Sequence, residues 1–200
     1  MTANHSWSRI GVVLLALGLM AASAFAQAND RLGLPGPIDF EGEAYGLAWS
    51  SQPSENYIKQ EYLPAGDSPE RYKQMILVET VSGGIAVMDA VRAQVDMLNK
   101  RKASDPLVNM DVIQNEATGE ALLDFIISTK GNDGQYIVEW NSYRYARYSD
   151  ATGNRGVMLF GVSRRAYGDD ASKALLTQLK VLRPGRIKAL TQVVLPRPAP

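Results

Sequence analysis

Seven short segments that alternate apolar and polar residues, separated by turns rich in Gly, Asn, Asp and Pro, limit the folds open to this chain. Only two segments repeat apolar residues at helical spacing. We expect strands at residues 43–50, 57–63 and 72–81, a helix at 85–101, strands at 107–114, 121–129, 135–148 and 156–167, and a helix at 169–182. Two helices are too few for a parallel sheet in which a helix follows each strand. The order βββαββββα therefore predicts an α+β fold: a twisted antiparallel β-sheet of about seven strands with two packed helices, on one face or on opposite faces.

The segments flanking these elements are rich in Gly and Pro and are expected to lie outside the packed domain. We expect a flexible N-terminal segment at residues 27–37, a single domain at 38–183, and a C-terminal tail at 184–200 that begins at the Pro184-Gly185 break. Ile187, Leu190 and Val194 repeat at helical spacing within this tail. That spacing indicates either packing on the chain's own domain or docking on a partner.

Residues 1–26 have the parts of a cleavable secretory signal. Arg9 is the only charged side chain before an apolar run at 10–20, and an Ala-x-Ala motif ends at Ala26. The run is about half the length needed to cross a bilayer, which favours cleavage after Ala26 over an uncleaved anchor. We therefore expect a periplasmic or secreted protein with no transmembrane segment after cleavage.

The predicted element order resembles that of the Mog1/PsbP-like group, whose members fold as an antiparallel sheet flanked by helices. Residues 56–76, NYIKQEYLPAGDSPERYKQMI, are similar to a pattern in small exported proteobacterial proteins with a domain of unknown function. This resemblance implies a Gram-negative periplasmic setting. It brings no catalytic residues with it.

The residue types present exclude several chemistries. The chain has no cysteine and one histidine, His5, which the signal would carry away. Zinc, haem and iron–sulfur sites of the usual kinds are therefore excluded, as are cysteine nucleophiles and a histidine base, and we expect no metal and no cofactor. Ser82-Gly83-Gly84 fits a strand-to-helix turn better than a phosphate loop, because no Lys-Ser/Thr pair follows it.

The overall charge gives no reason to expect a nucleic-acid partner. The chain carries 21 basic and 21 acidic residues, and cleavage of the signal would remove only Arg9 from this balance. Binding to a polyanion depends on a strong excess of basic residues, which this chain lacks.

Arginines and tyrosines alternate along one predicted hairpin and form the best candidate for a binding surface. The candidate residues are Tyr143, Arg144, Tyr145, Arg147, Arg164 and Arg165. Arginine binds carboxylates and phosphates with two parallel hydrogen bonds, and tyrosine offers a flat amphipathic surface. The leading hypothesis is thus a noncatalytic periplasmic module whose partner is another envelope protein or an anionic small ligand. Alternatively, these are ordinary residues of a polar sheet face, paired with acids such as Glu139 or Asp150.

Two other functions remain open. Asp124 and Glu139 lie on strands expected to be adjacent, so a cross-strand approach would allow a carboxylate-dependent hydrolase acting on envelope polymers. Acids on a solvated sheet face explain both residues equally well. A docking C-terminal tail would instead suit an accessory subunit of an envelope or secretion assembly.

Overall fold

The computed structural model describes residues 28–150 and 153–198, so the predicted signal at 1–26 lies outside the described residues. The elements are β1 (Ile38–Phe40), β2 (Glu43–Ser54), β3 (Tyr57–Leu63), β4 (Gln74–Ser82), α1 (Val87–Arg101), β5 (Asn109–Asn115), β6 (Glu120–Lys130), β7 (Tyr136–Ser149), β8 (Arg155–Tyr167) and α2 (Asp169–Gln192). The α+β class and all seven predicted strands are confirmed. The structure adds one further strand, β1.

All eight strands form one curled antiparallel sheet in the order β1-β2-β3-β4-β8-β7-β6-β5. Each meander runs from one edge towards the middle, and the two meet where β4 pairs with β8 over nine residues. The longest ladder joins β7 to β8, with thirteen paired residues. The β7–β8 hairpin therefore lies near the centre of the sheet, and its side chains reach both helices.

The two helices pack on opposite faces of the sheet, which resolves the alternative that the sequence left open. On the α2 face, strand residues such as Ile76, Val138, Trp140 and Phe160 pack with Leu175, Leu179 and Leu190 of α2. On the α1 face, residues such as Leu77, Leu123, Phe125 and Tyr145 pack with Val87, Val91 and Leu98 of α1. Because successive strand residues alternate in direction, one strand supplies both cores.

The strand missed by the sequence prediction, β1, has only three residues. It pairs with the start of β2 through a tight turn in which Glu41 and Gly42 both have positive φ angles. Glycine adopts this conformation without steric cost, which suits a two-residue hairpin. Three residues are too few to show alternation, so no pattern in the sequence indicated this strand.

The predicted end of the second helix is wrong, because α2 continues through Pro184 to Gln192. Proline lacks the N–H that would bond to the carbonyl of residue 180, and this usually ends or kinks a helix. Here Arg186 forms an ion pair with Glu41 at 2.9 Å, and the side chain of Leu190 is fully buried. Tertiary contacts beyond Pro184 thus offset the lost hydrogen bond.

Both terminal segments contact the core rather than lying outside it. The backbone N–H groups of Arg31 and Leu32 donate to the side-chain oxygen of Gln60 at 2.6 and 3.1 Å, and Leu32 is buried. Leu34 and Leu195 pack against the core of the α2 face. Residues 33–39 and 193–196 line one shallow cavity, so the two ends of the chain lie side by side.

Within the described residues, neither helix has the length and apolar character needed to cross a membrane.

Candidate functional site

Strand alternation divides the six predicted binding residues between the two faces of the sheet. Tyr143, Tyr145, Arg147 and Arg165 lie on the α1 face, whereas Arg144 and Arg164 lie on the α2 face. Successive side chains of a strand point in opposite directions, so the hairpin cannot present all six on one surface. The prediction of a single binding surface is therefore wrong.

All three guanidinium nitrogens of Arg144 donate hydrogen bonds within the domain. Its guanidinium donates two hydrogen bonds to the Glu120 carboxylate, each 3.0 Å long. A third nitrogen donates to the carbonyl oxygens of Leu190 and Val193, at 3.2 and 2.9 Å. The hydrogen bonds of Arg144, a residue of β7, thus link the end of α2 to β6.

Arg165 belongs to an equally complete network on the α1 face. It donates to the Glu139 carboxylate at 2.6 Å and stacks over the ring of Tyr72 at 4.1 Å. The Tyr72 hydroxyl and the Asn141 amide also donate to Glu139, at 2.8 and 3.0 Å. Burial, followed by the Glu139 charge, raises the pKa of Tyr72 far above its usual value, so the hydroxyl stays protonated. The Glu139 carboxylate thus accepts hydrogen bonds from three side chains, those of Arg165, Tyr72 and Asn141.

The two predicted tyrosines are part of the α1-face core. Tyr145 is buried, and the ring of Tyr143 meets Phe125 edge-on with 5.0 Å between centroids. Burial raises the pKa of both phenols well above the usual value. Neither ring is presented to a ligand.

Arg164 is half-buried on the α2 face, opposite Gln74. Burial lowers its pKa, and the positive charge of Arg186 lowers it further. It makes no hydrogen bond or ion pair with the residues that the structure describes. The sheet separates it from the remaining predicted arginine, Arg147.

Arg147 and Arg155 together line an open groove of about 800 Å³ at the turn end of the β7–β8 hairpin. Arg147 pairs across the ladder with Val157, so Arg155 lies diagonally opposite it on the same face. Diagonal neighbours in a regular antiparallel pair are about 7–8 Å apart, close enough for two long side chains to reach one group. The start of α1 forms the other wall, and Gly84 donates its N–H to the carbonyl of Arg155 at 3.0 Å.

The groove carries unbalanced positive charge. Both arginines are exposed, and neither makes a hydrogen bond or an ion pair with another described residue. The residues lining the groove are Gly84, Ile85, Ala86, Val87, Met88, Gly119, Arg147, Tyr148, Ser149, Arg155 and Gly156. None of these is acidic. Gly119 lies next to the Arg147 guanidinium and has a φ angle of +69°, a conformation that glycine adopts without steric cost.

Arg155 is the site residue that the sequence analysis missed. The predicted strand began at 156, which left Arg155 in the turn, whereas β8 begins at Arg155 and pairs it with Ser149. The register of the hairpin is the only signal that would have placed it beside Arg147. That register depends on the turn length, which the sequence does not specify uniquely.

The two carboxylates proposed for a hydrolase lie on opposite faces of the sheet, so the catalytic pair is not formed. Asp124 faces α2, where it accepts a hydrogen bond from Trp140 Nε1 at 3.0 Å and pairs with Arg183 at 2.6 Å. Glu139 faces α1 and is held by Arg165. A backbone layer separates the two groups, which excludes joint acid and base catalysis.

The described residues contain no group of three or more His, Cys, Asp or Glu side chains that could hold a metal ion. Gly83 and Gly84 have positive φ angles and connect β4 to α1, so this segment forms the expected strand-to-helix turn. The groove of Arg147 and Arg155, at the end of the β7–β8 hairpin, is therefore a candidate binding site.

Comparison with known proteins places the whole domain in one family. No curated protein and no solved structure matches the chain. A protein-family model matches residues 32–195, which cover the eight strands, both helices and the packed terminal segments. The chain therefore belongs to this uncharacterised family, whose domain spans residues 32–195.

Proposed function

We propose that the protein is an exported, noncatalytic binding module of the bacterial cell envelope that holds an anionic group between Arg147 and Arg155. Within the described part of the chain, two arginines without a hydrogen-bond or ion-pair partner share a groove that no acidic side chain lines, and this observation carries the proposal. Arg144 and Arg165 already have carboxylate partners, and Arg164 is half-buried on the opposite face of the sheet.

The chemistry of the groove favours a carboxylate or a phosphate. A guanidinium presents parallel N–H donors whose spacing matches the oxygens of these groups. The apolar side chains of Ile85 and Met88 line the groove together with the arginines, so an apolar portion of the ligand has a surface to contact. The β7–β8 ladder fixes the backbone positions of both arginines.

The predicted signal at residues 1–26 supports an envelope location, either periplasmic or secreted. The resemblance of residues 56–76 to exported proteobacterial proteins supports the periplasm. The resemblance in element order to the Mog1/PsbP-like group is part of the same proposal. In this setting the anionic group belongs to a small molecule or to an acidic side chain of another envelope protein.

NMR titration of a protein that begins at residue 27 tests binding, with inorganic phosphate and citrate as separate probes. We expect saturable shifts of the backbone amides of Gly84, Gly119 and Gly156, which line the groove. Arg147→Gln combined with Arg155→Gln should weaken binding at least tenfold. A tenfold loss corresponds to about 1.4 kcal/mol, a modest value for two charge-assisted contacts.

The matched control is Lys173→Gln combined with Lys188→Gln, which removes the same charge from exposed positions of α2. This variant should bind both probes as the unmodified chain does. Equal weakening by the two double variants would show nonspecific screening and would overturn the groove assignment. Failure of both probes to saturate would overturn it as well.

The envelope setting has its own test, which is cell fractionation of the full chain followed by mild crosslinking. The protein should be recovered from the periplasm or the medium, shortened by about 26 residues. Retention of the full-length chain in the cytoplasm would contradict export. A crosslinked envelope protein that is lost in the Arg147 and Arg155 double variant would identify the anion as part of a protein partner.

A further inference from the structure

One edge of the sheet, strand β5, is long, regular and open. It pairs with β6 through seven consecutive residues without a bulge, and none of the described strands lies on its other side. Within the described ranges 28–150 and 153–198, the backbone groups of Met110 to Gln114 bond only to β6. Half of their N–H and C=O groups therefore point outward, as in any edge strand.

The strand lacks the features that normally prevent an edge from pairing. It contains no proline, lysine or arginine, and its single charge, Asp111, is already paired with Arg183 at 2.7 Å. Val112 and Ile113 are 42% and 53% exposed, one on each face of the sheet. An exposed edge that lacks these features and carries adjacent β-branched residues is a template for another strand.

The sequence of β5 fits a second copy of itself. When two β5 strands run antiparallel with Val112 opposite Val112 of the other copy, all seven residues of each strand are paired. Asn109 then lies opposite Asn115, Met110 opposite Gln114, and Asp111 opposite Ile113. The two terminal asparagines can exchange amide hydrogen bonds, and the central valines pack together.

Charge selects this register over its neighbours. Centring the pair on Asp111 would place two carboxylates directly opposite each other, which is destabilising, and would leave only residues 109–113 paired. Centring it on Ile113 would pair only residues 111–115. With Val112 at the centre the two Asp111 side chains are diagonal neighbours, and each keeps Arg183 of its own copy.

We infer that the protein forms a twofold homodimer through β5, in which two eight-stranded sheets join into one. Because the same strand serves both copies, the contact closes on itself and does not propagate into a fibre. The inference does not depend on the proposed ligand, because no residue of β5 lines the groove of Arg147 and Arg155.

Charge substitution at the centre of the contact tests the dimer by analytical ultracentrifugation of the chain from residue 27. The unmodified chain should sediment as two copies, and Val112→Lys or Val112→Glu alone as one copy, because like charges would meet at the twofold axis. Mixing the two variants should restore a dimer. Val112 is exposed, so both variants should keep the cooperative thermal unfolding of the unmodified chain.

The register is tested by crosslinking, since the chain has no cysteine of its own. Val112→Cys should form a disulfide between copies under mild oxidation, whereas Met97→Cys, at a more exposed site on α1, should not. A mixture of Met110→Cys and Gln114→Cys should crosslink far more than either alone. A monomeric unmodified chain, or a dimer that survives Val112→Lys, would overturn the inference.

Discussion

Two arginines of the α2 face, Arg144 and Arg183, differ from the two of the groove in what surrounds them. Arg144 and Arg183 are partly buried and pair with Glu120 and Asp124, and Arg144 also donates to backbone carbonyls. Arg147 and Arg155 are exposed and have no described partner. The same residue type therefore holds the fold together in one region and leaves charge available in the other. The presence of hydrogen-bond or ion-pair partners within the fold, rather than the residue type, distinguishes a structural arginine from a candidate binding arginine.

The largest expected effect removes the buried anion of the α2 face. Asp124→Ala should lower the free energy of unfolding by about 2–4 kcal/mol, because the buried Trp140 N–H loses its acceptor and Arg183, which keeps Asp111, loses its buried partner. Urea unfolding followed by Trp fluorescence measures this, since Asp124 also accepts the Trp140 N–H. Asp111→Ala removes the exposed partner of the same arginine and should cost about 0–1 kcal/mol.

Comparable losses for Asp124→Ala and Asp111→Ala would contradict this assignment. The side chain of Asp124 is 1% exposed and that of Asp111 is 63% exposed, so equal effects would mean that burial does not decide the contribution.

A smaller effect compares one arginine from each region directly. Arg144→Met keeps the length of the side chain but removes hydrogen bonds to Glu120, Leu190 and Val193, and should cost about 1.5–3 kcal/mol. Arg147→Met should change the free energy of unfolding by less than about 0.5 kcal/mol. If Arg147→Met were as destabilising as Arg144→Met, Arg147 would be a structural residue and the groove would lose half of its binding charge.

The smallest effect concerns a carboxylate on the other face that is only partly compensated. Burial raises the pKa of Glu79 above 4.5, although Lys59 at 3.7 Å and the Tyr57 hydroxyl at 2.7 Å act in the opposite direction. The folded state then binds the proton more tightly than the unfolded state, so stability falls as pH rises from about 4.5 through the raised pKa. Glu79→Gln should remove this part of the pH dependence, on the order of 1 kcal/mol.

The control for Glu79 is Glu116→Gln, on the exposed β5–β6 turn, which should leave the pH dependence unchanged. Denaturant unfolding at several pH values between 4 and 8 gives the comparison. A curve for Glu79→Gln that runs parallel to that of the unmodified chain would contradict the raised pKa.

Local patterns were sufficient to predict most of the elements. The bounds of β3 match the prediction, and the helix at α1 begins two residues later than expected. Alternation and turn residues are local signals, so they identify strands without knowledge of the fold. The three residues of β1 and the helix beyond Pro184 depend on contacts from distant parts of the chain, and local patterns could not indicate them.

The candidate site was harder to predict, because sites depend on register. Alternation alone could have shown that Arg144 and Arg147 point to opposite faces. It could not place Asp124 relative to Glu139, because that depends on how β6 and β7 are aligned across their turn. The same uncertainty hid Arg155, whose position beside Arg147 follows from the β7–β8 ladder.

The meeting of the two chain ends has a consequence for the order in which the molecule can form. Leu32 and Leu34, near the start of the domain, share one core with Leu190 and Leu195, near its end. During synthesis Leu32 and Leu34 leave the ribosome long before Leu190 and Leu195. The α2-face core is therefore incomplete until the last residues emerge. The native packing around Leu32 and Leu34 can therefore be completed only when synthesis is nearly finished.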